Sequence, residues 1–128
     1  MSNPILAHHI LTAGKHPEKT ALIFHGILGS AHNWRGFCRH LLRGAGNWQF
    51  VICDLRHHGE SRGFVAPHDL TACARDAAAL VDYLGIQPDM ICGHSFGGKV
   101  AMVCARDGWV SPSSVWVLDT SPGVHKSL

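Results

Sequence analysis

The stretch Met90-Ile91-Cys92-Gly93-His94-Ser95-Phe96-Gly97-Gly98 decides how this chain reads. Its first three residues form a short apolar run of the kind that makes a buried strand. A helix is expected to follow at once, running to about Arg106 and stopping near Asp107-Gly108. Between the two lies Gly93-His94-Ser95-Phe96-Gly97, which fits G-x-S-x-G. Five positions with two wildcards recur by chance, so the pattern gains weight only from its setting. A strand directly before and a helix directly after is the setting of a nucleophile elbow. A serine on so tight a turn is held in a strained backbone conformation. The residues two before and two after it approach each other closely, and side chains at Gly93 or Gly97 would collide there. Gly98 lets the helix lie close to the sheet. The turn lifts the Ser95 hydroxyl to the carboxyl end of the strands, where open α/β sheets bind their ligands. The alternative is a plain glycine-rich strand-to-helix turn.

Outward from the elbow, short apolar runs alternate with amphipathic segments. Upstream, Ile5 to Thr12 reads as an edge strand and Ala21-Leu22-Ile23-Phe24 as a buried one. A helix follows whose apolar positions Trp34, Phe37, Cys38, Leu41 and Leu42 share one face, with Ser30 as N-cap and Gly44 as stop. Phe50-Val51-Ile52-Cys53 is the next strand. A second helix runs from about Asp69 to Leu84, with Leu70, Cys73, Ala77, Leu80, Val81 and Leu84 on its apolar face and Gly85 at its end. Downstream of the elbow helix, Val115-Trp116-Val117-Leu118 is the last strand. Strands that are apolar throughout are expected to be buried on both faces. Their alternation with helices gives a mostly parallel sheet with helices on both sides. No repeat or linker interrupts the pattern, so residues 1–128 read as one domain.

After the second of these strands comes His25-Gly26-Ile27-Leu28-Gly29, the place of an oxyanion-hole loop. One oxyanion donor is then the N–H of Phe96. The other is that of Ile27, with Leu28 as the alternative. Taken alone, His25-Gly26 also suits a simple turn.

Three blocks stand in order: His25–Ser30 (HGILGS), Asp54–Ser61 (DLRHHGES) and Gly93–Lys99 (GHSFGGK). A fourth, Leu118-Asp119-Thr120-Ser121-Pro122, follows the last strand. In combination, over roughly residues 20 to 123, they resemble the α/β-hydrolase superfamily. The nearest branch is the esterase group that includes small bacterial esterases and abhydrolase domain-containing protein eleven. The resemblance implies a Ser–acid–His triad that performs acyl transfer with no metal and no cofactor, on a small-molecule ester or thioester. Serine at position 95 sets the chain apart from the haloalkane dehalogenases and epoxide hydrolases of the superfamily, which carry aspartate there, and implies an acyl-enzyme.

The same resemblance implies the order Ser, acid, His along the chain. Asp119 stands where some members take the triad acid. Its other reading is a cap of the turn into Thr120-Ser121-Pro122. His125 does not match the family histidine. His94 is expected to face into the protein beneath the elbow, and His58 and Ser61 to order their own loop. The sequence therefore reads as an N-terminal half, truncated after the strand that follows the elbow, with the histidine and lid expected from the missing C-terminal half or a second chain. Loss of a triad member can cost on the order of a million-fold in turnover, so the chain alone is expected to be inactive. A non-catalytic binding or assembly protein on the same scaffold is the competing reading. An acyltransferase would use the same residues.

Composition narrows the classes further. The hydrophobic fraction is 46%, that of a folded domain, and the net charge is +2. Lysine and arginine are scattered; Arg35, Arg39 and Arg43 share one helix face, which reads as solvated. Neither a nucleic-acid partner nor a membrane surface is implied. The five cysteines, an odd number without a CxxC pair, sit mostly in apolar runs and read as buried thiols of a reducing compartment, the cytoplasm. The eleven histidines are dispersed, and neighbours on a strand point to opposite faces, so no metal site is expected.

Overall fold

The computed structural model describes residues 3–27 and 29–118. Along the chain run β1 (His8–Thr12), β2 (Lys19–Phe24), α1 (His32–Leu42), β3 (Trp48–Cys53), α2 (Leu70–Leu84), β4 (Met90–His94), α3 (Phe96–Arg106) and β5 (Ser114–Leu118). The five strands form one sheet in the order β1-β3-β2-β4-β5. Only β1 is antiparallel to its neighbour, with His8 opposite Cys53 and Thr12 opposite Gln49. In the parallel part Ile23 lies between Ile52 and Cys92, and His94 lies beside Leu118.

Right-handed crossovers decide which helix lies on which face. The chain steps one way from β2 to β3, so α1 lies on one face. It steps the other way from β3 to β4 and from β4 to β5, so α2 and α3 share the opposite face. The α2/α3 side holds the larger core, in which Leu22, Phe24, Val51 and Ile91 meet Ala77, Leu80, Val100 and Cys104. On the other side Ala21, Ile23, Phe50 and Ile52 pack under Cys38 and Leu42 of α1.

The ends of α2 follow its sequence. Asp69 caps it by accepting a hydrogen bond from the Ala72 N–H (2.8 Å), and Gly85 ends it in the left-handed conformation at φ 63°. At α1 the expected cap is not formed. Ala31 occupies the N-cap position, and the side chain of Asn33 instead accepts from the Ser30 N–H (2.8 Å). The competition was between two short polar side chains three residues apart, and Asn33 reaches back.

Burial on both faces holds for β2 and β3 but fails for β4 and β5. A helix about 10 Å across covers roughly two strands spaced ~4.8 Å apart. Since α1 packs on β3 and β1, it leaves the same face of β4 only partly covered and that of β5 exposed. Among the described residues no helix is long and apolar enough to cross a membrane.

Candidate active site

Ser95 sits between the last residue of β4 and the first of α3, at φ 54° and ψ −118°. A positive φ in a residue with a side chain is strained, and here the surroundings impose it. The Ser95 N–H donates to the carbonyl of Leu118 (3.0 Å), while its own carbonyl accepts from the Gly98 N–H (2.9 Å). The elbow is thus tied on one side to the end of β5 and on the other to the first turn of α3.

Both elbow glycines are required by close approach. A Cβ on Gly93 would collide with the backbone of Gly97 and come within 2.6 Å of the Gly98 nitrogen. A Cβ on Gly97 would collide with the carbonyl of His25 and lie 2.6 Å from that of Phe24. The second clash matters most for the site, because it shows that α3 begins directly against the end of β2. The loop that leaves β2 therefore runs past the serine. At Gly26 a Cβ would stand 3.3 Å from the Ser95 Cβ and 3.2 Å from the His94 Nδ1.

That loop is held from below. The Gly29 N–H donates to the Gly26 carbonyl (3.0 Å), closing the turn over Ile27. His25 is fully buried, and both ring nitrogens are engaged. Nε2 accepts from the Leu55 N–H (2.9 Å), which leaves the proton on Nδ1 to donate to the Gly26 carbonyl (2.6 Å). This pairing needs a neutral ring, and burial lowers the His25 pKa from its ordinary value. His58 lies against it with ring centroids 5.0 Å apart.

Asp54 is the second anchor. Its buried carboxylate accepts from the Ala31 N–H (2.7 Å) at the entry to α1 and from the Glu60 N–H (3.0 Å) in the next loop. Gly59, at φ 50°, is pressed so closely on this carboxylate that no Cβ would fit. Ser61 donates to the Asp54 carbonyl (2.7 Å) and accepts from the Ala7 N–H (2.8 Å). Beyond it, the guanidinium of Arg56 forms a buried bidentate pair with Asp76 of α2, Nε to Oδ2 at 2.6 Å and Nη2 to Oδ1 at 2.8 Å. Its Nη1 donates to the carbonyls of Val65 and Pro67 and to His68 Nδ1. Loop 54–68 is thereby fastened to both the strand before it and the helix after it.

The sequence-derived candidates fall as follows. Ser95 and Gly26 meet, with Ile27 next to Gly26 in an exposed turn. Phe96 opens α3, so its N–H is a first-turn amide without an acceptor one turn back in the helix. Gly93 and Gly97 make the tight turn. Asp119, Leu28 and His125 lie outside the described residues. His94 does not face into the protein. It is exposed, on the α1 face with Met90 and Cys92, and its ring meets Trp34 edge-on at 6.4 Å. Strand alternation explains this: β4 continues through residue 94, so 90, 92 and 94 share one face. The Arg56–Asp76 pair was missed from the sequence. Its signal was an acid at position 76 among the apolar positions Cys73, Ala77 and Leu80 of α2.

The profile of the alpha/beta hydrolase fold family matches residues 20–120. Abhydrolase domain-containing protein C22H12.03 of Schizosaccharomyces pombe is 38% identical over 111 residues, covering 87% of this chain and 40% of that protein. The sn-1-specific diacylglycerol lipase ABHD11 of Mus musculus is 32% identical over 107 residues, covering 80% of this chain and 33% of the relative. Among solved structures, a marine microorganism esterase superposes with a TM-score of 0.84 at 25% identity, over 98% of this chain and 45% of that one. The chain spans between about a third and two fifths of the length of these curated relatives.

Proposed function

This chain belongs to the alpha/beta hydrolase fold family, and from that premise we propose that it supplies the nucleophile and oxyanion side of a serine acyl hydrolase, carboxylesterase- or thioesterase-like. The observation that carries the reading is the meeting of Ser95, at positive φ on the strand-to-helix turn, with Gly26 of the β2 loop. In the proposed reaction the Ser95 hydroxyl attacks the carbonyl carbon of a small-molecule ester or thioester and loses its proton to a histidine base. The carbonyl oxygen takes the negative charge and is held by the N–H groups of Phe96 and Ile27. Collapse of the tetrahedral intermediate expels the alcohol or thiol and leaves an acyl-serine, which water then hydrolyses. A single oxyanion donor of this kind typically contributes on the order of 3 kcal/mol to transition-state stabilisation.

His25 is not proposed as the base, since both its nitrogens are engaged by backbone groups. Its role is to position the oxyanion loop. We assign the histidine base to the further length that the relatives possess, and Asp119 is the candidate acid. The five free cysteines fit a reducing compartment such as the cytoplasm.

The test is mass-spectrometric detection of a fluorophosphonate adduct. The folded chain is compared with Ser95→Ala, each alone and mixed with the part of the Schizosaccharomyces pombe relative beyond the matched segment. The expected result is an adduct on Ser95 that forms at least a hundredfold faster in the mixture. An adduct that persists in Ser95→Ala, or none on Ser95 in either arm, argues against the assignment.

A further inference from the structure

Two exposed histidines close the outer part of loop 54–68. His57 stands near its start and His68 at its end, directly before the Asp69 cap of α2. Their rings meet nearly at right angles, with centroids 4.2 Å apart. His57 takes this place at φ 64°, which a residue with a side chain keeps only where its surroundings impose it. Its N–H donates to the Ser61 carbonyl (2.8 Å), and its own carbonyl accepts from Arg62 Nη1 (2.9 Å).

The contact is selective for protonation state. An imidazole nitrogen either carries a proton or offers a lone pair. Arg56 Nη1, which can only donate, lies 3.1 Å from His68 Nδ1. That nitrogen therefore holds the lone pair, and the ring is neutral with its proton on Nε2. His57 Nε2 stands 3.0 Å from His68 Nδ1 and 3.3 Å from His68 Nε2. It can donate to the first or accept from the second, and either bond needs a neutral His68. A proton on His68 Nδ1 would confront the Arg56 N–H, donor against donor. The charged groups that act on His57 are His68, Arg56, Arg62 and His58, all cationic when charged. Across the loop, Asp69 and Asp76 of α2 act on Arg56, and Asp76 is already bound to it. The His57 pKa is lowered from its ordinary value, first by loss of solvent around the ring and then by those cations. The closed contact is thus favoured above the ordinary histidine value of 6.5 and is lost as the pH falls below it. A metal ion is a poor occupant, because a metal-bound imidazole turns its other nitrogen to an acceptor, whereas His68 Nδ1 faces a donor.

We propose that His57 and His68 form a proton-operated clasp, which holds residues 59–67 closed while His68 is neutral and opens when His68 takes a proton from solvent. Opening releases the loop that carries His58, whose ring lies against His25, and Glu60, whose N–H is bound to Asp54. Mild acid therefore loosens both anchors of the loop that passes Ser95. The inference rests on the geometry of loop 54–68 and not on the chemistry of Ser95.

The test is amide hydrogen exchange of the chain between pH 7.5 and pH 5.5, each rate divided by that of an unstructured peptide at the same pH. The reporters are the N–H groups of Glu60, Ser61 and Val65, bound to Asp54, the His58 carbonyl and Asn3. Their protection is expected to fall at least tenfold on acidification, while that of Val51 and Ile52 in β3 changes less than threefold. His57→Asn, which suits a positive φ, and His68→Gln, which keeps an oxygen for Arg56, should each reduce the change to less than twofold. His58→Gln should keep it, and so should Ser95→Ala, so failure of the hydrolase reading leaves the result standing. Circular dichroism confirms that each variant is folded. The inference is overturned by reporters unprotected at pH 7.5, by a change below threefold in the native chain, by a full response in His57→Asn or His68→Gln, by loss of the response in His58→Gln, or by a fall that β3 shares equally.

Discussion

The two halves of the sheet are made of similar sequence and end in different states. On one side of the elbow, β2 and β3 are sealed between α1 and α2, and the loops that leave them are fixed by His25, Asp54 and the Arg56–Asp76 pair. On the other side, β4 is fully buried on one face and only partly on the other, β5 is largely exposed, and the elbow is joined to β5 through the bond from Ser95 to Leu118. An apolar run such as Val115-Trp116-Val117-Leu118 therefore reports a strand, but the number of its faces that are buried is set by the helices its neighbours supply. The serine stands on the border between the sealed half and the open one.

The sharpest way to break this comparison is through the sealed half. Asp76→Asn leaves the buried Arg56 without its counter-charge, and a loss of about 3–5 kcal/mol in unfolding free energy is expected from urea denaturation. A loss below about 1 kcal/mol would mean that loop 54–68 is not fastened as described. A paired substitution compares the halves directly. Ile52→Ala in β3, fully buried, should cost about 2–4 kcal/mol. Trp116→Ser in β5 should stay within about 0.5 kcal/mol in the chain alone. Equal costs would refute the contrast. The smallest expected effect concerns His25. Its folded pKa is lowered, chiefly by burial, so below the ordinary value of 6.5 the unfolded chain takes up the proton more readily. The stabilising contribution is present above that pH and is lost as the pH falls. The melting temperature of the wild type should thus drop more steeply between pH 7 and pH 5 than that of His25→Gln; parallel slopes would remove His25 as a neutral anchor.

How far the sequence could be read follows the same border. Local signals were sufficient for the alternation of strands and helices, for α2 with its start near Asp69 and its Gly85 stop, and for the elbow itself. Boundaries drifted where tertiary pairing extends a strand past its apolar run: β2 starts at Lys19 and β3 at Trp48 because those residues pair with each other. The approach of Gly26 to Ser95 spans about seventy positions of chain and depends on which strands are neighbours, so no local pattern carries it. The Arg56–Asp76 pair is hidden for the same reason, although an acid on an apolar helix face is a visible anomaly. The orientation of His94 was within reach, since counting strand parity from Met90 gives it.

The backbone at residue 95 has one more consequence. A positive φ screens replacements by shape before it screens them by reactivity. Threonine, the nearest chemical relative of serine, is branched at Cβ and is an outlier at such a φ, whereas aspartate and asparagine are among the residues that most often visit positive φ. A serine-to-threonine exchange at this turn is therefore disfavoured although it preserves the hydroxyl. An exchange to aspartate discards the hydroxyl but adds no branch at Cβ, and so meets less steric resistance at this φ than threonine does. On such a scaffold the chemically distant step is the conformationally short one, so the turn can outlast a change in the identity of its nucleophile.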